Sequence, residues 1–339
     1  MTHQLAKIEP TILTIPKELW GTIIAYSIDS IKELVELSLL SRELRKIIFR
    51  KQYLSLLLHR NFYAIFSKWL FHLTSGRDEL VVASIVGKFL SFMSKYNYCI
   101  SGGFALAIIL GVKNIFETRS NDPHADCQWR GSDLDIYISL PQARYNRDQF
   151  CHQVSMWWED VKPFFSRSRF ELDSSHKLRS YGQWCPKLTK KFFIIDVVDF
   201  KLSLEWRQRV FQFIILDARH HITPTLFCKS KFDFSFLCNW IRFVGDGTCC
   251  QAHVEDLHAV ITKSGPYTPF FVREWEEQWR QWQLAKNSDD TVLRSDHRKQ
   301  RMKMIPRVQE RKKKYVARGF TITGDIPRTR FYFEKSPFR

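Results

Sequence analysis

Two short signals in a fixed order constrain this chain more than anything else in it. Tyr98-Cys99-Ile100 is an apolar strand candidate that runs into Ser101-Gly102-Gly103 and then into residues 104–110, apolar throughout and helix-like. Further on, Ser132-Asp133-Leu134-Asp135-Ile136-Tyr137-Ile138 alternates polar and apolar residues, as a strand with one covered face does. Residues two apart on a strand point the same way. Asp133 and Asp135 therefore place two carboxylates on one face, roughly 6–7 Å apart along the strand. Like charges that close are costly unless a cation shares them. Hard oxygen ligands at this spacing suit Mg2+ (or Mn2+), which also keeps substrate phosphates in its shell. The Gly-Gly turn opens a helix and presents backbone N–H groups with no side chain in the way, so a triphosphate can lie across it. The phosphate-binding candidates are Ser101, Gly102, Gly103 and Ser132, and the metal ligands are Asp133 and Asp135.

These residues resemble the nucleotidyltransferase fold of DNA polymerase beta, poly(A) polymerases and bacterial toxin nucleotidyltransferases. That family reads apolar residue, Gly-Gly or Gly-Ser, spacer, then Asp-apolar-Asp/Glu-apolar. Here it is Ile100-Ser101-Gly102-Gly103, then Asp133-Leu134-Asp135-Ile136. Gly131-Ser132-Asp133-Leu134-Asp135-Ile136-Tyr137 is similar to a branch found in large DNA viruses and some microbial eukaryotes. Lys314-Tyr315-x-x-Arg318-Gly319-Phe320 resembles a C-terminal element of that branch. The resemblance implies a mixed sheet flanked by helices, a nucleoside triphosphate substrate and nucleotidyl transfer to a hydroxyl.

Two departures stand out. The spacer from Gly103 to Asp133 is long for the family and implies an inserted loop at residues 113–131. The resemblance also implies a third carboxylate on a following strand. Residues 192–200 and 210–216 are the strand candidates. Gln212 occupies the natural position on the second, and an amide cannot serve as a base. Asp196 and Asp199 lie on the first and are preferred over Asp233. A catalytically silent domain that keeps the fold is the alternative.

The N-terminal residues 12–60 read as helices, with Leu19, Ile23, Leu34, Leu37, Leu40 and Leu44 at three- and four-residue steps. Ser30 with Glu33 fits a capping box. Ile15-Pro16-x-x-Leu19, Ile23, Leu34-x-x-Leu37 and Ser41-Arg42-x-Leu44-Arg45 resemble an F-box, the three-helix module that docks on the adaptor of a cullin ubiquitin ligase. That resemblance implies partner-binding residues Pro16, Leu19 and Ile23.

The net charge of +17 is uneven: residues 291–339 hold 15 Lys/Arg and 4 Asp/Glu. Arg311, Lys312, Lys313, Lys314 and Arg318 are candidates for holding a polyanion such as nucleic acid. The alternatives are a nuclear import signal and a solvated helix. Tyr315, Phe320, Phe331, Tyr332 and Phe333 suggest that the segment folds back on the main domain.

Eight cysteines without a C-x-x-C pair, no basic-then-apolar leader and no membrane-length apolar run point to a reducing compartment, cytoplasm or nucleus. Cys249, Cys250, His253 and His258 match no common zinc spacing. Trp275, Trp279 and Trp282 lie at helical spacing and read as a packing stripe. Residues 145–165, 232–243 and 253–262 read as helices. The expected organisation is α+β: an F-box-like bundle at 10–60, a nucleotidyltransferase-like mixed sheet flanked by helices at 61–290, and a basic extension at 291–339 that packs on it.

Overall fold

The computed structural model describes residues 15–16, 19–40, 42, 45–46, 51–71, 79–112, 129, 133–141, 144–164, 169–172, 194–204, 207–218, 223–230, 232–286, 291 and 308–324. Most of the expected inserted loop, together with Ser132, Leu44 and Phe331-Tyr332-Phe333, lies outside the described residues.

The architecture is α+β. Four helices come first: α1 (Leu19–Ser27), α2 (Ile31–Leu39), α3 (Lys51–Phe71) and α4 (Glu79–Lys95). Ser30 caps α2 by accepting from the Glu33 N–H at 3.2 Å, and the Glu33 carboxylate accepts from the Asp29 N–H at 2.8 Å. The box expected from the sequence thus closes on the residue before the cap.

A seven-stranded sheet follows, in the order β3-β4-β5-β2-β1-β6-β7. Its strands are β1 (Cys99–Ser101), β2 (Leu134–Leu140), β3 (Arg169–Leu172), β4 (Ile194–Leu204), β5 (Arg207–Asp217), β6 (Asn239–Val244) and β7 (Cys249–Val254). Helix α5 (Gly102–Leu110) leaves β1 directly, and α6 (Arg147–Val161) follows β2. Only β2 and β5 pair in parallel within this sheet. Short helices α7 (Pro224–Ser230) and α8 (Leu257–Ile261), strand β8 (Ser264–Pro266) and the long helix α9 (Pro269–Lys286) complete the middle of the chain. Residues 308–317 form a last helix, α10, followed by β9 (Thr321–Thr323), which pairs with β8.

Alternation along each strand sorts the two faces. Ile100, Leu134, Ile136, Phe211, Phe213, Phe200, Ile241 and Phe243 join one large core with Phe62, Phe66, Trp69 and Phe89 of α3 and α4. The opposite face carries a smaller cluster of Cys99, Tyr137, Val197, Ile214, Leu216, Phe227 and Cys228. The large core runs unbroken from Trp20 in α1 to Phe320 after α10, and the boundary expected at residue 60 falls inside α3. Trp275 of α9 is buried in it.

Two expected helices are corrected. Residues 232–243 form a 3-10 turn (Ser235–Leu237) and then strand β6, and His253 and Val254 close strand β7 before α8 begins. The residues of β6 alternate buried and half-buried, the period of a strand. Gly245, Asp246 and Gly247 all adopt positive φ between β6 and β7, so the segment is a hairpin with a glycine-rich turn.

The first helices are fastened to α5 by a cluster of hydrogen bonds. Gly111 ends α5 in the left-handed region at φ +62°. The Asn61 amide donates to the Asp29 carbonyl at 2.7 Å and to the Ile108 carbonyl at 3.0 Å, and the Arg60 guanidinium donates to the Ile28 carbonyl. A Cβ on Gly111 would sit 1.9 Å from the Asp29 carbonyl oxygen, which is backbone and cannot swing away. Gly111→Ala is therefore expected to lower stability by at least about 2 kcal/mol, read as a lower urea midpoint. Gly87→Ala in α4 is the control. Nothing lies within 4 Å of its added methyl, and the change should be neutral or stabilising by up to about 1 kcal/mol.

Candidate functional site

The sheet order lines up one row of residues across six strands. Asp199 on β4 faces Gln212 on β5, and Gln212 faces Asp135 on β2. Asp135 faces Ser101 on β1, Ser101 faces Trp240 on β6, and Trp240 faces His253 on β7. Directly paired residues share a face, so this row lies on the side away from the large core. Asp133 immediately precedes β2 and is exposed at its N-terminal end.

Gly102 shows why glycine follows Ser101. It sits at φ +70°, and a Cβ there would lie 2.7 Å from Asp135 Oδ2. The Asp135 carboxylate thus rests against the first residue of α5, where a helix presents unpaired N–H groups. The Ser101 hydroxyl is not part of this opening. It is buried and donates to the Asn239 carbonyl, tying β1 to β6.

The electrostatics follow from this crowding. Desolvation first, then the neighbouring Asp133 charge, push the Asp135 carboxyl up to about 7, against the pull of Lys314 and Arg311. Desolvation raises Asp133 as well, with Lys314 pulling it down and Asp199 pushing it up. Asp199 is buried and accepts from the Gln212 amide at 3.0 Å. Its charge reaches both acids, yet it stands one strand beyond Gln212, so its Cα lies about 10 Å from that of Asp135.

Asp196 belongs elsewhere. Three residues before Asp199 on the same strand, it pairs with Ile215 and lies on the opposite, large-core face. There it accepts from the Tyr145 hydroxyl at 2.6 Å and from Arg147 at 3.2 Å, so the structure does not bring it to Asp133 and Asp135. Asp233 is engaged by Arg311 in an ion pair.

The C-terminal segment supplies the opposing charge. Val308, Tyr315 and Phe320 are buried, and Tyr315 and Phe320 pack on Phe234 and Phe236. The turn after α10 is fixed by the Thr321 N–H bonding the Lys263 carbonyl at 2.7 Å. Positions 311, 314 and 315 share a face of α10, and Arg318 follows in the turn. The charges of Arg311, Lys314 and Arg318 reach the acids, although Lys314, like Lys312 and Lys313, is exposed. Desolvation, followed by the Arg318 charge, lowers the Lys314 ammonium, while Asp135 and Asp133 hold it up. Arg318 is buried, with its guanidinium 4.2 Å from the Trp129 ring centroid. Trp129 was not anticipated, because an isolated tryptophan in a polar loop carries no pattern.

Among the described residues, no group of three His, Cys, Asp or Glu side chains is placed to hold a metal ion. Magnesium is ordinarily held by one or two carboxylates together with substrate phosphates and water. Asp133 and Asp135 fit an ion shared with phosphates, not a cage built from protein alone. Elsewhere, Pro16 is exposed ahead of α1, Leu19 is 50% exposed, and Ile23 is half-buried against the core.

A carboxyl raised on folding stabilises the protein at low pH and loses that contribution as pH rises from about 4 through about 7, because the folded state holds the proton longer. In chelator, Asp135→Asn should therefore raise Tm by a few degrees at pH 8, and the gap should close towards pH 4. Thermal melts across that range check it. Equal Tm values at pH 8 would show that the Asp135 carboxylate is not crowded.

Among the described residues no helix is long and apolar enough to cross a membrane. Compared with protein-family models, with curated proteins and with solved structures, the chain finds no match in any of the three.

Proposed function

We propose that this chain is a magnesium-dependent nucleotidyltransferase, moving a nucleotidyl group from a nucleoside triphosphate to a hydroxyl acceptor. One observation carries the reading. Asp135 sits against the left-handed Gly102 at the start of α5, Asp133 stands two residues before it, and the charges of Arg311, Lys314 and Arg318 reach them from α10 and the turn that follows it. Acids that need a cation, beside cations and helix N–H groups that need an anion, suit a metal-bound triphosphate. The polymerase-beta-like resemblance of Ser101-Gly102-Gly103 and Asp133-Leu134-Asp135 agrees with it.

In this reading Asp133 and Asp135 hold the ion, and Gly102 and Gly103 hold phosphate oxygens by their N–H groups. Lys314, Arg318 and Arg311 bind the remaining phosphate charge. The acceptor oxygen attacks the α-phosphorus, the bond to the bridging oxygen breaks, and pyrophosphate leaves. The hydroxyl proton passes to solvent water, because Asp199, the remaining acid of the row, is buried behind Gln212 and accepts from its amide. Magnesium or manganese, when bound, supplies charge neutralisation at the attacking and leaving oxygens.

The test is incubation with labelled nucleoside triphosphates, either metal and mixed hydroxyl acceptors. Asp133→Ala and Asp135→Ala should each abolish labelling, and Lys314→Ala should reduce it by about 100-fold. Gln212→Asp, which moves a carboxylate one strand closer to Asp135, should tighten metal binding. Wild type and the double Asp133→Ala/Asp135→Ala variant labelling nothing alike would end the enzyme reading.

A silent adaptor is the second reading, favoured by the amide of Gln212 lying between Asp135 and Asp199 and by apolar side chains left uncovered on the first helices. Leu39 is 67% exposed and Tyr26 84%, as well as Leu19. It predicts capture of a cullin-ligase adaptor that is lost on Leu19→Asp. No capture by wild type removes it.

A further inference from the structure

Gln212 stands between two acids, and one of its two amide heteroatoms is in use. It pairs directly with Asp199 on β4 and with Asp135 on β2. Its Nε2 donates to Asp199 Oδ1 at 3.0 Å. A carboxylate offers acceptors only, so Asp199 decides which way the amide turns. The nitrogen is held on the side of β4, and Oε1 is presented on the other side of the same carbon. Among the described residues Oε1 accepts no hydrogen bond.

Burial divides the row. Asp199 and Ser101 are buried, whereas Gln212 and Asp135 between them are half-buried and Asp133 is exposed. Solvent and small ions therefore reach the row at Gln212, Asp135 and Asp133, and Asp199 lies behind. Neighbouring strands run about 5 Å apart, a span across which one ion can bond an oxygen from each, at about 2.1 Å for magnesium. Hard cations take amide carbonyl oxygens as well as carboxylates. A carboxylate at position 212 would add a like charge beside both Asp135 and Asp199. An amide there adds an oxygen and no charge.

We propose that Gln212 Oε1 is a third protein ligand of the ion shared by Asp133 and Asp135, and that Asp199 is a positioning residue that holds the amide in its ligating orientation. The ion then meets two carboxylates and one neutral oxygen, and its remaining positions are left to phosphate oxygens and water. Hydrogen-bonded partners behind a ligand fix its orientation in metal sites generally. Asp199 does this from a buried place that no substrate reaches. The assignment deepens the transferase reading and rests on it for the presence of the ion. A glutamine that merely satisfied Asp199 would leave ion binding indifferent to its oxygen.

The probe is Mn2+ alone, titrated into the full chain at low salt and followed by the electron paramagnetic resonance signal of the free ion. Wild type should bind it, and Asp133→Ala/Asp135→Ala should not. Gln212→Met keeps the length of the side chain and removes the oxygen. It should weaken binding about tenfold, and Gln212→Glu should restore it. Asp199→Asn and Asp199→Leu both remove the Asp199 charge, but only asparagine can still accept from the amide. Asp199→Leu should therefore bind Mn2+ about tenfold more weakly than Asp199→Asn. In a chain carrying carbon-13-labelled glutamine, bound Mn2+ should couple to a carbon nucleus, and Gln212→Met should lose that coupling. If Asp199→Leu melts early, the Gln212 variants and the coupling carry the measurement. Equal Mn2+ affinity in wild type and Gln212→Met, no carbon coupling, or no binding by wild type overturns the ligand. Equal affinity in Asp199→Asn and Asp199→Leu overturns the positioning role. Mn2+ binding that depends on Gln212 in a chain that labels nothing supports the ligand and ends the transferase reading. Labelling by a chain whose Mn2+ binding ignores Gln212→Met does the reverse.

Discussion

Two carboxylates held close together at one end of a strand set the terms for this fold. Asp133 and Asp135 share one end of β2, and the start of α5 closes against Asp135. Their repulsion falls only where positive charge is brought close. The chain brings it from the far end of its sequence: α10 and the turn after it deliver Arg311, Lys314 and Arg318. The aromatic packing of Tyr315 and Phe320 on Phe234 and Phe236, and the pairing of β9 with β8, are what hold those cations in place.

The sheet order arranges everything else around that pair. Because β2 lies between β5 and β1, Asp135 has Gln212 on one side and Ser101 on the other. Gln212 separates it from Asp199 and donates to that acid, so the three carboxylates share a field without sharing a site. On the other side the row continues through the buried Ser101 to the stacked rings of Trp240 and His253. Helices α3 and α4 cover the large-core face of the sheet, and α7 covers part of the other, where the row lies.

The α+β class and the elements from β1 to β2 were legible in the sequence because their signals are local. A glycine pair opening an apolar helix and a period-two strand each need only a few residues to be read. The β6–β7 hairpin was not legible in residues 232–243, where apolar residues crowd at spacings that also suit a helix. The alternation begins only at Asn239, after a 3-10 turn. The Gly245-Asp246-Gly247 turn was the better signal. The basic segment shows a different limit. Charge and its density are visible in a sequence, but its direction is set by which positions share a face with buried neighbours. Arg311 and Arg318 are covered beside the buried Val308 and Tyr315, and Lys314, though exposed like Lys312 and Lys313, is the lysine of that run whose charge reaches the acids. Asp196 and Asp199 looked equivalent until strand register put them on opposite faces.

The separation of the acids from their counter-charges along the chain has a consequence for synthesis. Ribosomes deliver Asp135 long before Lys314 and Arg318, and at about 5–20 residues per second the interval is roughly 10–40 s. During it, strands β1 and β2 and helix α5 can assemble, but the crowded carboxylates have no internal cation to face. The nascent site is protonated or bathed in solvent ions until α10 emerges, so its completion is timed by the synthesis of that helix.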